Sequence, residues 1–98
     1  MPKQQMQWLA SYRFHGVDCF HSFSISHYDK AVEWLKERLV ELLKKNNQSE
    51  ETIDMAVDNL LMESRLNHQF CYVNTFVEVD KNGIVHDAEF QMREVPLN

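Results

Sequence analysis

Apolar and polar residues alternate from the start of the chain. In MQWLASYRF, Met6, Trp8, Ala10, Tyr12 and Phe14 hold every second position. A period of two puts them on one face of a β-strand. His15-Gly16-Val17-Asp18 interrupts the pattern and reads as a turn, with Gly16 free to adopt positive φ. A second strand over 19–25 follows, with Cys19, His21, Phe23 and Ile25 on one face and Phe20, Ser22 and Ser24 on the other. The two runs predict a β-hairpin.

The period then changes. Ser26 with Asp29 three residues on is close to a capping box. Tyr28, Val32, Leu35, Leu39, Leu42 and Leu43 recur at three- and four-residue spacing, which is one face of a helix. Asn46-Asn47-Gln48 breaks this run. Ser49 then reads as the N-cap of a second helix, with Glu50 and Glu51 in its first turn and Ile53, Ala56, Val57, Leu60, Leu61 and Leu66 as its apolar stripe. So short a break predicts antiparallel neighbours.

Period two returns in HQFCYVNTFVEVD, residues 68–80, rich in β-branched and aromatic side chains. Asp80-Lys81-Asn82-Gly83 is a hairpin turn, and IVHDAEFQMREV alternates cleanly up to Pro96. The order ββααββ predicts an α+β fold: a four-stranded antiparallel sheet of two hairpins, with an antiparallel helix pair on one face. Ninety-eight residues suit a single domain over 1–98.

Composition narrows the setting. Two cysteines, Cys19 and Cys71, make no disulfide framework. No apolar run approaches the roughly 20 residues that span a bilayer, so no membrane contact is expected. Nor does an apolar run follow the early Lys3, so the expected compartment is the cytoplasm.

Charge is more informative than its total of −5. Residues 1–45 carry 7 basic and 5 acidic groups, whereas residues 46–92 carry 2 basic and 9 acidic ones. A nucleic-acid binder shows a basic face. Here the basic residues form no cluster beyond Lys44-Lys45, so direct nucleic-acid binding is not expected.

FHGVDCFHSFSISH, residues 14–27, gathers His15, His21, His27 and Cys19. Zinc takes about four nitrogen or sulfur ligands, usually from paired short motifs. Cys19 and His21 share a strand face with Phe23 and Ile25, which are core residue types, while His15 and His27 fall near opposite ends of that strand, about 20 Å apart. No metal, cofactor or catalytic set is therefore expected, and the chain does not read as an enzyme. The alternative is a small ligand- or metal-binding protein or enzyme using Cys19, His21 and His86. It requires those three to converge in a pocket.

Two surfaces remain. A sheet covered on one side should alternate apolar-in and polar-out, yet Leu9, Phe20, Phe70, Tyr72 and Phe76 fall on the open side. Apolar patches of this kind mark interfaces, so a homodimer through this face is expected. The second helix stacks Glu50, Asp54 and Asp58 at four-residue spacing and adds Glu63, with no Lys or Arg over 46–64. A surface of this sign fits a basic protein partner. By compositional analogy, the expected function is that of a small acidic interaction protein. It would bind or antagonise a nucleic-acid-handling protein, as phage and plasmid accessory proteins do.

Overall fold

A computed structural model describes residues 5–66 and 70–97, the Phe70 side chain excepted. The elements run β1 (Met6–Phe14), β2 (Val17–Ser24), α1 (Tyr28–Lys45), α2 (Glu50–Leu66), β3 (Phe70–Val79) and β4 (Val85–Pro96). The strands form one antiparallel sheet in the order β2-β1-β4-β3. The α+β reading and the ββααββ order hold. The expected start of the third strand at His68 lies outside the described residues.

The first hairpin is tighter than the sequence suggests. Phe14 pairs with Val17, leaving only His15 and Gly16 in the loop, at φ 52° and 75°. Two successive positive φ values are what a type I′ turn requires. Glycine adopts this without penalty, and histidine is among the residues that tolerate it. The second hairpin uses a longer loop. The Gly83 N–H donates to the Asp80 carbonyl (3.0 Å), and Gly83 alone takes positive φ there. Asp80 Oδ1 accepts from the Asn82 and Ile84 N–H groups, at 2.8 and 3.0 Å.

Helix ends follow local chemistry, with one departure. The expected cap at Ser26 does not form: α1 starts at Tyr28 with His27 as N-cap, and the Ser26 hydroxyl meets Ser24 Oγ instead. Trp8 Nε1 donates to the Ile25 carbonyl at 2.9 Å, which fixes the approach to the helix. At the other end Asn47 takes φ 59°, while the Gln48 and Asn47 N–H groups reach the Leu43 and Lys44 carbonyls, each at 3.0 Å. That is a Schellman closure, with asparagine in the left-handed position. Ser49 Oγ accepts from the Thr52 N–H at 3.1 Å, the expected cap of α2.

Both helices lie on one face of the sheet. Trp8 and Ala10 on β1, Cys71, Val73 and Val77 on β3, and Ala88, Phe90 and Met92 on β4 point into this layer. Ala31, Val32, Leu35, Leu39 and Leu43 close it from α1, and Ile53 and Leu60 from α2. The helices are antiparallel, since the Tyr28 hydroxyl at the start of α1 donates to the Ser64 carbonyl near the end of α2. A β-bulge between Phe76 and Glu78 shifts the register of β3 against β4. The Gln48 side chain donates to the Val77 carbonyl at 2.6 Å, so the inter-helix loop is fastened to the bulge.

Leu39 and Leu60 are fully buried, one on each helix. Leu39→Ala and Leu60→Ala should each cost about 2–5 kcal/mol by denaturant unfolding, from lost transfer energy and the cavity left behind. Midpoints equal to the parent's would contradict the phase assigned to the helices.

Candidate functional site

α2 touches the core through a narrow stripe. Ile53, Leu60 and Ser64 are buried, with Ala56, Val57 and Leu61 at the margins. The stripe continues by a step of four from Leu60 to Ser64, which turns Leu66 outward. Leu66, expected in the core, is 73% exposed. Ser64 is tolerated inside because its hydroxyl donates to the Leu61 carbonyl at 2.7 Å.

On the opposite side Met55 and Met62 are also exposed, at 67% and 50%. Met55, Met62 and Leu66 are spaced seven and four apart, so they form an outward apolar row along the helix. Glu51, Asp54 and Asp58 are exposed beside it, and Glu50 opens the helix. Glu63 belongs elsewhere: five residues beyond Asp58 it is rotated by about 140°. It is half-buried and close enough to Cys71 to oppose that thiol's ionisation. Three of the four predicted acidic residues thus share a side, and Glu63 does not. The methionines were missed because they lie within the acidic run. Their spacing from Leu66 was the available signal.

Among the described residues, no ion pair reaches Glu50, Glu51, Asp54, Asp58 or Glu63. On α1, by contrast, Arg38 sits between Glu37 and Glu41, with Nε 2.9 Å from Glu41, although that N–H is not aimed at the carboxylate.

The open sheet face is less continuous than expected. Phe20 lies on the β2 edge, while Tyr72 and Phe76 lie on the β3 edge. Between them run Ser11 and Arg13 of β1 and Glu89, Gln91 and Arg93 of β4, with half-buried Leu9 among them. Arg13 grips Asp18 through two hydrogen bonds of 2.7 and 3.1 Å, and the Tyr72 hydroxyl donates to Glu89 at 3.0 Å. The apolar side chains therefore flank a polar centre. The Phe70 side chain lies outside the described residues.

Cys19, His21 and His86 do not converge. β1 separates β2 from β4. His21 pairs with Ala10, which pairs with Met92, six residues from His86. That is about 20 Å along the strand. His21 rests on Phe23 and Trp34, with ring centroids 4.5 and 6.0 Å away. Cys19 lies beside Tyr12, and their hydrogen bond raises the Tyr12 hydroxyl above its ordinary pKa. Burial pushes the Cys71 thiol up to about 11, so it stays protonated at neutral pH and is a poor nucleophile.

The histidine that His86 does meet is His15, with ring centroids 4.5 Å apart. His86 Nε2 lies 2.8 Å from Asp80, and His15 Nε2 lies 3.5 Å from Glu78. This cluster joins the loop of the first hairpin to the base of the second. Among the described residues, no group of three or more His, Cys, Asp or Glu side chains is placed to hold a metal ion.

Comparison of the chain with protein-family models, with curated proteins and with solved structures finds no match.

The His86 contact, with the backbone N–H of Ile84 second, holds the Asp80 carboxyl below its ordinary pKa. The folded state therefore binds fewer protons there than the unfolded chain. The resulting stability is complete above the unfolded carboxyl's value of about 3.9 and is lost as pH falls through the lower folded value. Asp80→Asn keeps an acceptor for the loop but removes the charge. It should melt below the parent at pH 7, and the gap should narrow as pH falls below about 3.9, by thermal scans across pH. A gap independent of pH would assign Asp80 to the loop alone.

Proposed function

We propose that the chain is a small cytoplasmic protein-interaction module whose outward α2 face docks on a basic protein partner. The observation that carries this is the pairing of two unmet needs on one helix face. Met55, Met62 and Leu66 are exposed, and Glu51, Asp54 and Asp58 lie beside them with no ion-pair partner among the described residues. Like charges at four-residue spacing cost about 0.2–0.5 kcal/mol per pair, and the helix N-terminus offsets only those in its first turn. A basic amphipathic segment relieves both at once. Its apolar side covers the methionines, which adapt to irregular partners, and its Lys and Arg meet the carboxylates.

A partner whose natural ligand is nucleic acid presents such basic segments. That makes occlusion of a nucleic-acid-handling protein the form of binding this surface suits. Acidic clustering of this kind mainly accelerates encounter, while the apolar row sets how long the complex lasts.

The probe is a labelled, helix-forming Lys/Leu peptide, titrated by fluorescence anisotropy at two salt concentrations. Two controls accompany it: a sequence-scrambled peptide of equal charge, and Met55→Ser/Met62→Ser protein. Asp54→Lys/Asp58→Lys should weaken binding at least tenfold at low salt and flatten its salt dependence. The double serine variant should weaken it while leaving the salt slope intact. Equal affinity for all three proteins, or for the scrambled peptide, would return this face to solvent.

A further inference from the structure

We propose that the outer edge of β2 is a dimerisation edge: β2 of a second copy adds to it antiparallel, centred on Phe20, joining two four-stranded sheets into one of eight strands.

The backbone supplies the first argument. Phe14 and Val17 close a two-residue loop and exchange hydrogen bonds, so bonding alternates along the hairpin. Val17, Cys19, His21 and Phe23 direct their N–H and C=O groups to β1. Asp18, Phe20 and Ser22 direct theirs away from the sheet, where β2 has no neighbour among the described residues. An antiparallel partner centred on Phe20 pairs Phe20 with its own copy and Asp18 with Ser22 of the second copy. Those are the residues whose backbone groups face outward.

The second argument is the lack of protection. Exposed edges are usually blunted by lysine, proline, a bulge or an inward charge. VDCFHSFS has none of these, and its one charge, Asp18, is engaged by Arg13 at 2.7 Å. The other edge, β3, carries a bulge between Phe76 and Glu78 and the acidic Glu78 itself. The two edges are thus treated differently, and only β2 is left straight and nearly uncharged.

Side chains complete the match. Phe20 is 70% exposed on the open face, and a two-fold axis beside it places two phenyl rings against each other. Asp18 falls opposite serine, not opposite a second Asp18, so no like charges meet. On the helix face Cys19 falls opposite His21 of the second copy. α1 packs over β1 and β2. Measured between the two β1 strands, three strand spacings are about 14 Å, more than the 8–10 Å between packed helices, so the two α1 helices clear each other.

The test is sedimentation of the full chain at micromolar concentration, with three variants. The parent should run as a dimer. Ser22→Pro removes only an outward N–H, a position where an edge strand accepts proline; it should run as a monomer with the parent's circular dichroism. Phe20→Lys places lysine on the axis, against its own copy, and should also be a folded monomer. Tyr72→Ser/Phe76→Ser, on the far edge, should remain a dimer. Amide exchange gives a second measurement. The Asp18, Phe20 and Ser22 amides should be protected in the parent and exchange at least tenfold faster in Phe20→Lys, while the Cys19, His21 and Phe23 amides stay protected in both. A monomeric parent at 100 µM overturns the proposal. So does a dimer that survives Phe20→Lys, or one lost only in Tyr72→Ser/Phe76→Ser. None of these variants touches α2, so failure here leaves the peptide-binding proposal standing.

Discussion

The ladder between β1 and β4 is the contact on which the rest of the fold depends. It pairs Met6 with Pro96 and continues to Arg13 with Glu89, joining the two ends of the described chain. Each hairpin alone would be marginal in water. Joined, they set Trp8, Ala10 and Tyr12 beside Phe90 and Met92, and the Tyr12 and Phe90 rings stack at 5.4 Å. The Leu97 N–H extends the ladder to the Gln5 carbonyl at 2.8 Å. Closing so long a loop is entropically costly, although the cost grows only with the logarithm of its length. The return is a sheet wide enough to bury both helices.

Placing β1 and β4 in the centre has two consequences. It makes β2 and β3 the edges, and it divides the helices between them. α1 covers β1, β2 and β4, whereas α2 rests on β3 and on α1. α1 therefore buries five residues, including three leucines, and α2 buries three, one of them serine. A helix with a narrow contact leaves a wide outer face. The exposed methionines and leucine of α2 follow from the strand order as much as from the sequence of the helix.

Much of this was legible beforehand, and the failures have physical causes. Period two and period 3.6 located the strands and helices, because side-chain direction is fixed by backbone geometry alone. The Ser49 cap and the Asn47 break were visible because both are local chemistry. Leu66 was misplaced because periodicity fits several phases near a helix end, and Ser64, polar but hydrogen-bonded through Leu61, took the buried position instead. The His15–His86 contact was not legible. It depends on β4 lying next to β1, on a loop of two residues and on the register of β3. The polar gap in the aromatic open face has the same cause. Phe20, Tyr72 and Phe76 share a side in any antiparallel sheet, but only the order β2-β1-β4-β3 puts them at opposite edges. Glu50, Asp54 and Asp58 share a side because they sit on one helix and need no long-range pairing to align. Glu63 leaves that side through rotation about the same helix.

The two proposed surfaces occupy opposite ends of the sheet, and that separation has a consequence of its own. In a sheet doubled through β2, the two β3 strands become the outermost pair. Seven strand spacings, about 33 Å, then separate them, each with its α2 outside the joint. Neither α2 face is covered by the pairing, so such a dimer would present two identical copies of the proposed docking face. Such a particle gains little from the second face against a partner with one basic segment. Against a dimeric partner, or one with repeated basic segments at matching separation, the second contact becomes intramolecular. Apparent affinity then rises well beyond that of a single face, by a factor of about 10²–10⁴ where the geometry allows. On these two proposals together, pairing at the β2 edge would bring the α2 contact to full strength only on a partner whose basic segments match both faces in separation and direction.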